Sequence, residues 1–457
     1  MSQTKGEEAG ASSPASAIMK NLFLSLGAIT LFSSCSQSFN AGGDVPLVKV
    51  DETAIARSEA ENYHIPAQAG PATLDGLASR HNPRLKALRH RAERLEAKIP
   101  QVETLPDPMA NLALGNLPET AAGRVDAVVG VSQKIPFPGK RREAGLAAQR
   151  EALAVRADAA AFELKLTEQV RSAWWDYYLA GITIRISQES QSLLRVVEES
   201  VEAQVAASQG GQADQLRVAN EITKIDRDLA EARSVESVAK ARLNSLLNRP
   251  SGAPLPPATS REVDLPQNLQ SLLARAETRH PEVVSAANKI AAFKHRLNRA
   301  KLERYPDFTF GVQGAAVASN GLAPSANGED QIFGTLGFNI PLWQEPRRAM
   351  IREANAGIAE TQALLGSTRS DLRYRVEDAY FRAKTAREVS TLFKTRLIPD
   401  AKQAYEVTLT SYAAGKDTFT NVIDTWRQWL TYQLQFAQNR AQLGKAVATL
   451  NAAAGIK

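Results

Sequence analysis

Residues 128–142 read VVGVSQKIPFPGKRR. The stretch opens as an alternating β run, breaks at Pro136 and Pro138, and passes into a very long helical pattern. About 205 residues later the same junction returns as TLGFNIPLWQEPRR over residues 335–348, with the break at Ile340-Pro341 and the double arginine at Arg347-Arg348. A strand that meets a break and then a long helix, present twice, is the signature of an internal repeat.

Other echoes extend it. Arg80-His81-Asn82-Pro83 returns as Thr278-Arg279-His280-Pro281, and Leu105-Pro106-Asp107-Pro108 as Tyr305-Pro306-Asp307-Phe308. Ser208-Gln209-Gly210-Gly211 returns as Tyr412-Ala413-Ala414-Gly415. Each half therefore reads helix, strand, strand, long helix, tip, helix. The expected division is residues 72–249 for the first repeat, 250–266 for a Pro-rich linker, and 267–457 for the second repeat.

Strands are expected at residues 109–117, 125–135, 307–318 and 331–340. In the second, Val125, Ala127, Val129, Val131 and Ile135 share a face opposite Asp126, Gly130, Ser132 and Lys134. Phe308, Phe310 and Val312 oppose Thr309, Gly311 and Gln313. Ile332, Leu336, Phe338 and Ile340 oppose Thr335, Gly337 and Asn339. Strands of this length, with one apolar face and one small or polar face, suit a membrane β-barrel, and a half-buried soluble hairpin has the same pattern. A barrel would need more than one chain, because open sheet edges are not tolerated in hydrocarbon. Two copies give eight strands and three give twelve; the small inward residues Gly130, Ser132, Gly311 and Gly337 favour three, which leave a channel.

Residues 140–207 and 346–412 form the long helical patterns, with Pro399 an expected kink in the second. At about 1.5 Å per residue the first is roughly 100 Å long, too long for a globular core helix. Gly210, Gly211 and Gly415 mark sharp turns before shorter return helices.

The net charge of +6 comes from interleaved basic and acidic residues, without the basic run and aromatics of a nucleic-acid site. The five histidines are scattered, with His81 and His280 read as a mirrored structural pair, and there are four Met and one Cys, so no metal cluster, cofactor or nucleophile–base arrangement is expected. The single cysteine, Cys35, follows Met19-Lys20, an 11-residue apolar run at 22–32, and Ser33-Ser34. That is a secretory signal over residues 1–35 whose true start is read as Met19, followed by a tether at 36–71.

Phe32-Ser33-Ser34-Cys35 resembles a bacterial lipobox, which implies a lipidated Cys35; Ser36 in place of the aspartate that retains such lipoproteins at the inner membrane implies sorting to the outer membrane. Over residues 72–454 the chain resembles the TolC family of outer-membrane efflux proteins. LPDPM at 105–109 and VSQKIPFPGK at 131–140 are similar to the heavy-metal (cobalt-zinc-cadmium) branch. The resemblance implies a mainly α fold with a membrane β part: a homotrimer in which four strands per chain make a twelve-stranded barrel, continued by an α-helical barrel across the periplasm. It implies a passive exit duct rather than an enzyme, working with a periplasmic adaptor and an inner-membrane pump of the resistance-nodulation-division type. In the family, acidic residues six and nine positions beyond the tip glycine close the duct. From Gly415 these are Asn421 and Asp424, so a ring of three Asp424 carboxylates is expected to favour cations, with Asn421 lowering its charge. Adaptor contact is expected at the tips, around Gly210, Gly211, Gly415 and Lys416. The alternative is a lipid-anchored periplasmic coiled-coil scaffold with no conductance.

Overall fold

The computed structural model describes residues 63–457, except 115, 116, 118, 207–210, 259–262, 266, 267, 323, 324 and 326. The signal segment with Cys35, most of the tether, and Gly210 lie outside the described residues. In order, the elements are α1 (Pro71–His81), α2 (Pro83–Glu96), α3 (Lys98–Glu103), β1 (Met109–Leu114), β2 (Glu119–Thr120), β3 (Gly123–Ile135), α4 (Lys140–Ala206) and α5 (Gln212–Leu246). The second half has α6 (Leu269–Arg279), α7 (Pro281–Leu302), β4 (Phe308–Val317), β5 (Gln331–Phe338), α8 (Gln344–Leu392), a π-helical turn (Phe393–Leu397), α9 (Ile398–Ala413) and α10 (Phe419–Ala453). Two compact units result: a sheet unit, with Val102–Glu143 and Arg299–Ala349, and a helical unit, with Ser58–Gln101, Ala144–Asn298 and Met350–Lys457.

In the sheet unit the strand order is β1-β3-β4-β5, all antiparallel, with β2 paired to β3. The registers carry the repeat. Within the first half Met109 faces Ser132; adding 200 to the first strand and 205 to the second gives Thr309 facing Gly337, the pairing found in the second half. Opposed residues share a face of the pleat. One face therefore holds Leu112, Leu114, Val129, Val131, Ile135, Phe308, Phe310, Val312, Ile332, Leu336 and Phe338. The other holds Asn111, Gly130, Ser132, Thr309, Gly311, Gln313, Thr335 and Gly337. Val125 departs from the sequence expectation. A bulge between Val125 and Ala127 rolls it to the opposite face from Val129, where it is buried with Ala122, Ala315 and Val317. Beyond this cluster the two strand-end loops are stitched together: the Arg124 amide donates to Asn320 Oδ1 (2.8 Å), and the Gly328 amide to the Ala122 carbonyl (2.8 Å).

The joint from strand to helix is built around a buried lysine. Lys140 Nζ donates to Asp307 Oδ1 (2.8 Å) and the Tyr305 carbonyl (3.0 Å), and lies 3.1 Å from Glu303 Oε2. Asp307 also accepts the Phe137 amide (3.0 Å) and pairs with Lys134 (3.3 Å), while the Phe137 and Tyr305 rings stack at 4.5 Å. In each half an arginine ties the new helix to the old one: Arg141 donates to the Glu103 carbonyl (2.8 Å) and Arg347 to the Glu303 carbonyl (2.9 Å).

In the helical unit the leading helix of each half is broken before Pro83 and Pro281, whose rings cannot continue the amide ladder. Asn82 caps α2 by accepting from the Arg84 and Leu85 amides, and donates to the Leu246 carbonyl (3.2 Å). His280 takes the same place in the second half: it accepts the Glu282 amide (3.2 Å) and contacts the Ala452 carbonyl (3.2 Å). The mirrored pair is thus Asn82 and His280, not His81, which stacks on Tyr63 at 4.3 Å. Burial holds the His280 pKa below its ordinary value. The two cores repeat as well. One gathers Leu74, Leu85, Trp174 and Leu243, and the other Leu272, Leu372, Val376 and Leu450. Trp175 lies against Gly444, where an added Cβ would overlap the indole ring. The expected kink at Pro399 is taken up by the π-helical turn just ahead of it, which absorbs the missing hydrogen bond without ending the helix.

Asp75 on α1 pairs with Arg171 at 2.9 Å, while its Oδ1 is buried without a hydrogen-bond partner. Burial, outweighing the charge and hydrogen bond of Arg171, pushes its pKa up to about 6 from 3.8. A carboxyl whose folded pKa is raised binds its proton more tightly when folded, so this group adds stability as pH falls from 7 through 6 toward 4. The change is about 3 kcal/mol, at roughly 1.4 kcal/mol per unit. Asp75→Asn keeps an acceptor for Arg171 and should remove that slope. Thermal midpoints at pH 7 and pH 5 should converge in the variant, and an unchanged difference between them would exclude Asp75 as the titrating group.

Candidate functional site

Two surfaces are organised for function: the sheet, and the helix tips around Gly415. On the sheet, Leu112, Leu114, Val131, Phe310, Val312, Ile332, Leu336 and Phe338 all stand exposed on the apolar face. A contiguous exposed apolar face of this extent marks contact with lipid or protein. Among the described residues, β1 and β5 each pair on one side only, so both outer edges are open. No helix among the described residues is long and apolar enough to cross a membrane.

At the tips, α9 ends at Ala413, and Gly415 turns the chain with φ +70°, a conformation that glycine adopts without strain. The Lys416 amide reaches back to the Ser411 carbonyl (2.8 Å), closing the helix end. Lys416 is exposed. Thr418 then caps α10, its side chain accepting the Asn421 amide. Gly211 sits in the N-cap position of α5, its carbonyl accepting the Asp214 amide (3.0 Å). Beneath the tips lies an apolar core of Leu194, Val197, Val218, Tyr412, Phe419 and Trp426. The turn at Gly415 is therefore anchored while Gly415 and Lys416 face solvent.

The two residues singled out beyond Gly415 behave differently. Asn421 Nδ2 donates to Asp417 Oδ1 (2.6 Å), so its side chain belongs to the helix start. Asp424 is exposed, and its Oδ1 lies 3.2 Å from one Arg427 nitrogen. The other terminal nitrogen of Arg427 lies 2.6 Å from Glu221 Oε1 on α5, and that carboxylate is only 12% exposed. The Glu221 hydrogen bond leads the causes that raise the Arg427 pKa, so the guanidinium is charged. Next to it, Arg217 donates to Thr420 Oγ1 (2.9 Å) and pairs with Asp214 (3.7 Å). A cavity of about 270 Å³ is lined by Arg217, Glu221, Thr420, Asp424 and Arg427.

The expected bare carboxylate is thus half of a neutral pair, itself hung on a buried acid. The Asp424–Arg427 spacing of three on a helix was readable. Glu221, 206 residues away in sequence, was not. Among the described residues, no group of three His, Cys, Asp or Glu side chains is placed to hold a metal ion.

A sheet with open edges and one lipid-compatible face, joined in sequence to helical hairpins, is the protomer fold of an outer-membrane channel. Residues 272–456 match the family model for outer membrane efflux proteins. The chain is similar to the pyoverdine export outer membrane protein OpmQ of Pseudomonas putida, with 25% identity over 73% of this chain and 70% of that protein. It is also similar to the cobalt-zinc-cadmium resistance protein CzcC of Cupriavidus metallidurans, with 22% identity over 95% of this chain and 99% of that protein. The fold is that of the solved outer membrane protein VceC of Vibrio cholerae, with a TM-score of 0.69 and 16% identity over 84% of this chain and 96% of VceC. The chain is thus similar to outer membrane efflux proteins, whose family model its second half matches, and its place is the outer membrane.

Proposed function

We propose that the chain is the passive exit duct of a tripartite efflux system. The observation that carries this is the sheet: one exposed apolar face, one face on which small and polar residues predominate, and, among the described residues, two unpaired edges. In hydrocarbon those edges must be closed by other strands. Three copies supply twelve strands, enough to leave a lumen lined by Gly130, Ser132, Gly311 and Thr335. The halves at residues 72–249 and 267–457 act as two equivalent staves per copy. Cys35 carries the lipid anchor. A periplasmic adaptor docks on the tips near Gly211, Gly415 and Lys416, with Gly210 beside them in sequence, and an inner-membrane pump of the resistance-nodulation-division type supplies the energy.

OpmQ is named for pyoverdine export and CzcC for cobalt-zinc-cadmium resistance. A duct of this build does not select its cargo; we place that choice in the pump. Asp424 sets the charge at the tip constriction, with Arg427 tempering it, and Asn421 serves the helix start.

Purified full-length protein in planar bilayers tests the reading. Wild type should give stable channels with a cation preference. Counting Asp424 and Glu221 as negative and Arg427 as positive leaves one net negative charge per chain; Asp424→Ala removes it, so the preference should fall toward none. Absence of channels would sink the duct and leave a lipid-anchored scaffold. Channels with unaltered selectivity in the variant would remove Asp424 from the constriction alone.

A further inference from the structure

In the helical unit, the segment that links the halves closes one side of a cavity of about 500 Å³. The other walls come from Tyr177, Gly181 and Arg185 on α4 and from Glu236 on α5, with Pro257 and Ala258 supplied by the linker. That last wall is fixed, because Ala258 packs against the cluster of Trp175 and Tyr178. The volume lies in the range of about 300–1,000 Å³ usual for small-molecule sites.

The polar groups on its walls lack partners. Tyr177 is only 9% exposed, and among the described residues its hydroxyl makes no hydrogen bond. Buried polar groups are nearly always paired, so a phenol left open toward a cavity calls for a partner that the chain does not supply. Glu236, half-buried, forms no hydrogen bond or ion pair among the described residues, although Arg233 and Lys240 flank it on α5 and Arg185 lines the same cavity. Burial first, and the charge of Glu236 second, push the Tyr177 pKa up, so the two groups are neighbours. Arg185 has one long contact, 3.9 Å to Glu189. An acid and a base thus line one cavity without touching. Gly181 keeps the space between them open: a Cβ added there would meet only Glu236 Oε1, at 4.0 Å.

The internal repeat serves as a control. The shift of 205 residues that carries Ile135 onto Ile340 turns Tyr177, Gly181 and Arg185 into Arg382, Ala386 and Ser390. The shift of 204 that carries Gly211 onto Gly415 turns Glu236 into Arg440. The second half builds the same helix pair without this set, so helix packing does not require it.

We propose that this cavity binds a short zwitterionic peptide. Glu236 holds its ammonium, Arg185 its carboxylate, and the Tyr177 hydroxyl donates to an amide carbonyl between them. Tyr178, Ile182 and Pro257 receive an apolar side chain. A simple cation would meet Arg185 and a simple anion would meet Glu236; a molecule with both charges, held apart, satisfies each through a charge-assisted hydrogen bond. The site stands whether or not the chain conducts.

Calorimetric titration of the full-length protein in detergent with leucyl-alanine tests this. Wild type should bind it saturably. Acetylating the peptide's amine or amidating its carboxylate should each weaken binding by about tenfold or more, the worth of one hydrogen bond to a charged group. In Glu236→Gln the free and acetylated peptides should bind alike, and in Arg185→Gln the free and amidated ones, as expected when each variant removes one half of a pair. Gly181→Leu fills the cavity with a better helix former, so binding should vanish while circular dichroism keeps its helical signal. Absence of saturable binding to wild type would overturn the proposal. So would equal affinity for all three peptides, or binding that survives Gly181→Leu. Channel formation in bilayers is read separately, so failure here leaves the duct standing.

Discussion

Lys140→Met should lower the stability of the folded chain by about 3–5 kcal/mol, the cost of removing one partner from a buried ion pair. The lysine side chain is 6% exposed and its ammonium touches Asp307, Glu303 and the Tyr305 carbonyl. Methionine fills much of the stem's volume, so the loss is electrostatic rather than a cavity. Asp307 would keep Lys134 and the Phe137 amide, which places the effect toward the lower end. Two further variants separate the causes. Lys140→Met combined with Asp307→Asn removes both charges and should recover part of the loss, whereas Lys140→Arg keeps the charge but cannot place a planar fork where a point donor fits. The measurement is the thermal or denaturant midpoint of the protein in detergent, followed by circular dichroism. A change below about 0.5 kcal/mol, the usual size for a surface substitution, would show that this lysine does not hold the joint.

Much of this joint was legible in the sequence, but not its chemistry. The doubled Ile-Pro break and the echo of Asp107 in Asp307 placed the strands and the start of both long helices, because period-2 alternation and proline act locally. Lys140 and Asp307 are 167 residues apart, and a pair at that separation leaves no local trace. The Val125 bulge escaped for a related reason. Alternation extrapolates smoothly, whereas a bulge is fixed by the opposing strand and by the loops stitched beyond it. The Asn82 and His280 caps were misaligned by one residue, since chemically different side chains do the same work of capping a helix and reaching a neighbouring carbonyl. At the tips the turn at Gly415 was plain. The tie of Arg427 to Glu221 required knowing which face of α5 meets α10.

Arg427→Ala should therefore change the tip constriction more than any loss at Asp424. Its two arms differ in worth. The contact with exposed Asp424 contributes under about 1 kcal/mol, as surface ion pairs do. The contact with Glu221 contributes more, because removing Arg427 strands a carboxylate that is only 12% exposed. Full burial would make that 3–5 kcal/mol; Arg427 is itself 46% exposed, so solvent screening reduces it to about 2 kcal/mol. If the α5–α10 tie holds the tips together, losing 2 kcal/mol shifts the balance between closed and open duct by about 30-fold. Charge moves in the same direction. The net charge of the trio Asp424, Glu221 and Arg427 passes from one negative per chain to two, so cation preference should rise where Asp424→Ala makes it fall. Single-channel recordings report both quantities separately, as open probability and as reversal potential. Adding Glu221→Gln to Arg427→Ala removes the stranded charge and should restore selectivity toward wild type, but not the tie, so open probability stays high. Wild-type values of both in Arg427→Ala would mean that this arginine neither latches the helices nor faces the permeating ion.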